Sequence, residues 1–188
     1  RTMDMAEMRA GTAHGSRLYD NPIYRQPMLP FLGVTAAISG VAAARAATAL
    51  FRDQLAERVV HGTNITQSEK PAAQMRLANA SVMARTAELL LRDAINTNIA
   101  LARPEQRADF EQRSRMRLEI AQAMELCRHA VMMVAEASGA SSHLRSNPMQ
   151  RYLRDVNVMS NHIVYDKDGA AELHGRALIG LPPNALTF

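Results

Sequence analysis

The chain has 188 residues, enough for one domain with a real core, and 47% hydrophobic against 21% charged residues excludes a disordered chain. Aromatic residues make up only 4%, Trp is absent and Met numbers 12, a mix that suits packed helices better than a β-sandwich. The formal net charge of +4 is scattered among acids with no basic block, which argues against nucleic acid as a partner and leaves only a weak pull on a small anion.

Cys127 is the sole cysteine, so no disulfide can form within the chain. Its apolar helical neighbours predict a small buried side chain in a reducing compartment, which points to the cytoplasm. No segment reads as apolar over a length that spans a membrane, and no secretory signal is visible, so no membrane partner is expected. The chain opens with Arg1 rather than Met, which reads as a piece of a longer protein.

Residues 1–26 show no sustained period. Gly11, Gly15, Asn21 and Pro22 break them into a connecting arm. From about Met28, Val34, Ile38, Val41, Thr48, Leu55 and Val59 recur at steps of three, four or their sums, predicting an amphipathic helix. Ala42, Ala43, Ala44, Ala46, Ala47 and Ala49 add helix propensity, and His61-Gly62 marks the expected end. After a polar loop, Ser68-Glu69-Lys70-Pro71 starts a second helix. Met83, Ala87, Leu90, Ala94 and Leu101 mark one face of it and Leu91, Ile95 and Ile99 another, which predicts a central helix stopping at Arg103-Pro104.

Pro104 is expected to open a third helix with a bundle seam of Ile120, Met124, Cys127, Val131 and Val134, ending at Ser138-Gly139. Its first half is heavily charged and reads as solvated or partner-facing. A turn rich in small residues and hydroxyls follows, then Asn147-Pro148 as cap and first helical position of a short helix reaching about Tyr165. Asp166-Lys167-Asp168-Gly169 reads as a turn and residues 170–188 as an irregular apolar tail. The fold expected is an all-α antiparallel four-helix bundle of three long helices and a shorter fourth, with residues 1–26 as an arm and 27–188 as the bundle domain.

Metal ligation is not supported. The six histidines show no paired helical spacing, and no Glu-x-x-His pair lies on a helix. A Ser–His–acid triad stays open, but no nucleophile-elbow sequence is present, and phosphate-binding glycine patterns are absent. Arg154-Asp155 reads as a structural ion pair. Arg58, in the last turn expected of the first long helix, would by default complement the helix dipole. Ser141 and Ser142 would by default be loop hydroxyls, and a lone helical His162 is more often structural than catalytic.

Three runs of residues together resemble the C-terminal helical domain of the acyl-CoA dehydrogenase superfamily. Arg58-x-x-His61-Gly62 is similar to its Arg-x-x-Phe-Gly signature, and Gln74-Met-Arg-Leu-Ala-Asn to the start of its next helix. Pro148-Met-Gln-Arg-Tyr-Leu-Arg-Asp resembles its Pro-x-Gln-Arg-x-x-Arg-Asp run. The resemblance covers residues 28–165 at least. Where the dehydrogenases carry Tyr-Glu-Gly-Thr with a catalytic Glu, this chain reads Asn161-His162-Ile163-Val164-Tyr165-Asp166. A histidine there resembles the branch of flavin-dependent monooxygenases of the 4-hydroxyphenylacetate hydroxylase oxygenase type.

That resemblance implies a two-component system. A separate reductase supplies reduced flavin, FMN rather than FAD, and a C4a-hydroperoxide delivers oxygen to a small aromatic or heterocyclic substrate. It implies His162 as the catalytic residue, hydrogen-bonded to the peroxide or the substrate, and Gly139, Ala140, Ser141 and Ser142 packed on the flavin. It implies Arg58 contacting a flavin bound largely by another subunit, hence a homo-oligomer, a tetramer. It also implies an N-terminal helical domain and a middle β-domain, with residues 1–26 as the exit from the latter, so that this piece alone is inactive. Two other readings stand beside it: an acyl-CoA dehydrogenase homologue with a relocated base, and a non-catalytic helical assembly module.

Overall fold

The structure, a computed structural model, describes residues 4, 7, 12–19, 21–103 and 108–184. Its α-helices are α1 (His14–Leu18), α2 (Met28–Glu57), α3 (Pro71–Ala100), α4 (Phe110–Ala137), α5 (Pro148–Ser160) and α6 (Lys167–Leu178). Single 3-10 turns occupy Pro22–Arg25, Gln67–Glu69, Ala140–His143 and Ile163–Tyr165. Among the described residues the only β-pairing is an isolated bridge between Val59 and Thr66. The all-α expectation therefore holds.

The chain divides into two compact units. One holds residues 38–88 and 123–162. Within it, Arg45 of α2 pairs with Glu88 of α3 at 3.2 Å, while the backbones of Arg58 and Gln67 are joined by a 2.7 Å hydrogen bond. Those two pairings make α2 and α3 antiparallel. Gly40 faces Met124 and Cys127, and Arg58 reaches Ser138, so α2 and α4 run the same way. A Cβ at Gly40 would lie 2.9 Å from the Met124 thioether and push it aside. The predicted seam of α4 is the core here: Met124, Cys127, Val131 and Val134 are all buried, beside Ala44, Ala47, Phe51 and Leu55 of α2. Burial pushes the Cys127 thiol up to about 12, so it behaves as a small hydrophobe.

The other unit holds residues 1–37, 89–122 and 163–188. Gly33 of α2 packs against Ile120 and Val164. The buried Tyr165 hydroxyl donates to the Gly33 carbonyl at 3.0 Å, and burial raises its pKa to about 12, keeping it a donor. Asn98 of α3 donates to Gln26 at 3.1 Å, which ties the end of the N-terminal arm to α3.

Several expectations are corrected. Helix α2 ends at Glu57, not at His61-Gly62, because residues after Arg58 turn back to pair Val59 with Thr66, with Gly62 at φ +75° in the bend. Its core face is Val34, Ala37, Val41, Ala44, Phe51 and Leu55, whereas Ile38 and Val59 are exposed. Helix α3 buries an alanine-rich face drawn from both predicted rows (Ala80, Ala84, Ala87, Leu91, Ala94), and Ile99, expected on the second row, is exposed with Met75, Val82 and Leu89. Helix α4 starts at Phe110, capped reciprocally by Asp109 and Gln112, and the Pro104 start lies outside the described residues. Residues 166–178 are not a turn and an irregular tail. Asp166 is the N-cap of α6, its carboxylate accepting from Gly169 N–H at 3.2 Å, and Ala170 and Leu173 are buried. Leu186 and Phe188 lie outside the described residues.

The membrane reading is corrected too. Helix α2 is long and apolar enough to cross a bilayer, with a mean hydropathy of 1.5 over its best window. Alanine contributes much of that average, and 39% of the window is buried inside the protein.

Glu119 in α4 titrates abnormally. Burial pushes its carboxyl above the ordinary range; Arg115 opposes this, Asp93 adds to it, and His174 opposes it. One carboxylate oxygen is buried without a hydrogen-bond partner, and the other is 3.4 Å from Arg115. A raised carboxyl pKa means that the folded chain binds this proton more tightly than the unfolded chain. Stability is therefore lost as pH rises from the ordinary carboxyl value through the raised one. Glu119→Gln is expected to raise Tm at pH 7 and to lose that advantage near pH 4 in calorimetry. Equal shifts at both pH values would refute the assignment.

Candidate functional site

The residues singled out in the sequence fall at two places in the unit formed by residues 38–88 and 123–162. The first is the end of α4. Here Gly139 adopts φ +69°, a left-handed conformation that glycine takes without penalty, and Ala140–His143 form a 3-10 turn. Arg58, 80 residues earlier, donates from Nη1 to the Ser138 carbonyl. Its Nη2 lies 3.5 Å from where a Cβ of residue 139 would stand. The structure thus brings together Arg58, Gly139, Ala140, Ser141 and Ser142. It does so with Arg58 beyond the end of α2, reaching across to the carbonyl end of α4 rather than complementing its own helix.

The two serines of the turn differ. Ser142 is buried and donates its hydroxyl inward to the Gly139 carbonyl at 2.7 Å. Ser141 is exposed, with its hydroxyl 3.3 Å from the Ser138 carbonyl. Asn147 fastens the turn to α5: its Oδ1 accepts from Met149 N–H at 3.0 Å and its Nδ2 donates to the Ser141 carbonyl at 3.0 Å. Ser141 and Ala140 therefore face outward, while Ser142 shapes the turn from inside. A guanidinium, an exposed hydroxyl and a glycine without a Cβ stand together there as a polar, outward-facing surface.

The second place is the far end of α5. His162 is exposed and follows the helix, its N–H donating to the Met159 carbonyl at 3.1 Å. Helix α5 stops at Ser160 because Asn157, Ser160 and Asn161 turn their side chains onto backbone carbonyls. The short helix expected to reach about Tyr165 therefore ends before His162, which is not a helical residue. Thirteen residues at about 1.5 Å each separate His162 from the turn by about 20 Å along α5. Within one chain the structure does not gather His162 with Arg58 and Ser141. Arg154 and Asp155 do pair, at 3.1 Å and exposed, on the wall of an open groove of about 930 Å³ lined by α2 and α5.

A serine, a histidine and a carboxylate do meet in the other unit. Ser114 Oγ is 3.1 Å from His174 Nδ1, and Glu119 feels His174 electrostatically. Ser114 is fully buried, and its hydroxyl donates to the Glu111 carbonyl at 2.9 Å, so it does not face a substrate as a nucleophile. Gln67 escaped the sequence reading. Its Nε2 donates to the Ala137 carbonyl at 3.0 Å, next to the carbonyl that Arg58 holds. The capping box at Thr66 and Glu69 brackets it but announces nothing of where its side chain goes.

Comparison with known proteins bears on this arrangement. Residues 34–167 match the family model described as acyl-CoA dehydrogenase, C-terminal domain. A pigment production hydroxylase of a Rhodococcus strain is 37% identical over 182 residues, covering 97% of this chain and 46% of that protein. The FADH2-dependent resorcinol hydroxylase, oxygenase component, of a Rhizobium strain is 30% identical, covering 97% of this chain and 47% of that protein. The solved structure of XiaF from a Streptomyces species, in complex with FADH2 and glycerol, superposes with a TM-score of 0.84 at 25% identity, covering 89% of this chain and 43% of that one. The chain spans about half the length of the curated relatives it matches.

Because Asn147 both caps α5 and anchors the Ser141 carbonyl, Asn147→Ala is expected to cost about 1 kcal/mol of stability in denaturant titration. An unchanged midpoint would show that neither bond contributes.

Proposed function

We propose that this chain, which belongs to the acyl-CoA dehydrogenase C-terminal-domain family, is the helical C-terminal part of the oxygenase component of a two-component, reduced-flavin-dependent aromatic hydroxylase. What carries this reading is the meeting of Arg58 with the Gly139–Ser142 turn in a chain 30–37% identical to hydroxylases, one of them named as FADH2-dependent. The partners in this reading are a flavin reductase, a small aromatic substrate and further copies of the same chain, assembled as a tetramer in the cytoplasm. The resemblance points to FMN, but the FADH2 in two relatives' printed names favours FAD as the first flavin to test.

Reduced flavin, when bound, supplies the electrons with which oxygen is activated for insertion into the substrate. This chain's residues do the holding and orienting. Arg58 and Ser141 offer hydrogen-bond donors to the anionic and carbonyl edge of the flavin, and Gly139 and Ala140 let it approach the backbone closely. Ser142 keeps the turn in shape from inside. His162 hydrogen-bonds the substrate hydroxyl and orients the reacting ring carbon. The separation of about 20 Å along α5 supports a site built from two copies, Arg58 and the turn serving one flavin and His162 another.

His162→Ala in the intact protein, given reduced flavin and a hydroxylated aromatic substrate, is expected to uncouple the reaction: reduced flavin is consumed and hydrogen peroxide replaces hydroxylated product. Orienting and acid–base roles of this kind contribute about 10²–10⁴-fold. A wild-type yield of product per flavin oxidised would reject the role. Arg58→Ala is expected to weaken reduced-flavin binding about tenfold or more in anaerobic titration, the loss of a charge-assisted hydrogen bond. Unchanged affinity would leave Arg58 with its contact to Ser138 alone.

A further inference from the structure

The carbonyl end of α4 carries a device that the proposed site rests on. After the last turn of a helix, four carbonyls lose their intrahelical partners. In this chain the local bonds cover some of them: Ser138 N–H and Oγ both go back to the Val134 carbonyl, and Gly139 N–H goes to that of Glu136. The next two carbonyls, Ala137 and Ser138, take side-chain donors from 70 and 80 residues away, Gln67 and Arg58.

These two donors are aimed by one small piece of backbone. Gln67 N–H donates to the Arg58 carbonyl at 2.7 Å, Val59 bridges Thr66, and Val60 N–H donates to the Ile65 carbonyl at 2.9 Å. Arg58 and Gln67 are thus directly opposite each other in a short antiparallel pair, where facing side chains leave on the same side. The consecutive carbonyls of Ala137 and Ser138 meet the two facing donors of the pair. The Thr66–Glu69 capping box closes the far side, with Thr66 N–H donating to Glu69 at 2.9 Å.

We propose that Gln67 is a positioning residue. With Arg58 it grips the carbonyl end of α4 at two points and so sets where the Gly139–Ser142 turn stands. The functional clause rests on the preceding reading of that turn as a flavin contact. Gln67 does not touch the flavin in this proposal; it acts through Ala137. One bond would leave the end of α4 free to rock about it, whereas two fixed points remove that freedom. The turn follows immediately, since Ser142 N–H and Oγ both return to the Gly139 carbonyl.

The test uses the intact protein with three substitutions. Gln67→Glu keeps the shape but turns an acceptor onto an acceptor. Gln67→Leu deletes the donor. Gln67→Lys restores a donor of sufficient reach. The first readout is amide hydrogen exchange over residues 136–142 without flavin. Exchange there is expected to quicken about threefold to tenfold in Gln67→Leu, more in Gln67→Glu, and to return toward wild type in Gln67→Lys. The second readout is reduced-flavin affinity, expected to follow the same order while KM for the aromatic substrate stays constant. Unchanged exchange in Gln67→Glu would overturn the grip. Quickened exchange with unchanged flavin affinity would overturn its role in positioning. If the wild-type protein fails to bind reduced flavin at all, the preceding functional reading falls and the flavin clause with it, while exchange alone decides the grip.

Discussion

The carbonyl end of a buried helix has to be satisfied by something, and in this chain the whole candidate site hangs on how that is done. Helix α4 carries the buried seam from Met116 to Val134, and its last turn follows directly on that core. Its terminal carbonyls are answered by side chains from the connection between α2 and α3. Packing of α4 and placement of the turn are therefore one problem. The Gly40 contact with Met124, which lets α2 approach α4, and the Arg58 contact with Ser138 are successive points along the same pair of helices.

The features that read well from sequence are those with short-range physics. The α4 seam was legible because Ile120, Met124, Cys127, Val131 and Val134 repeat at bundle spacing, and all are buried. The start of α5 was legible from Asn147-Pro148, a cap followed by a residue that needs no N–H partner. Helix α6 was missed because Gly169 and Gly175 look like breakers. An Asp cap and the burial of Ala170 and Leu173 outweigh the propensity of two glycines. Ile38 and Ile99 were assigned to the core on period alone, but small alanines can bring helices close enough that the faces they occupy win the burial instead.

At the site, Arg58 and residues 139–142 were found through resemblance, and their meeting is visible only in three dimensions. Gln67 was not legible at all. A hydrogen bond from a side-chain amide to a carbonyl 70 residues away leaves no period and no spacing to read. His162 shows the opposite failure. Reading the helix as far as Tyr165 put His162 on it, but three side chains that bond back to carbonyls end the helix first.

The reach of the two donors also bears on the order in which the protein becomes native. Each bond closes a loop of 70 or 80 residues, and the entropy of that closure must be met before the bond returns anything. The helices themselves need only local contacts and can form early. The turn after α4 acquires its final place only once α2, α3 and α4 have docked. On the proposed reading of that turn, ligand binding would then report completed assembly: a chain with its helices formed but not docked would have the turn out of place.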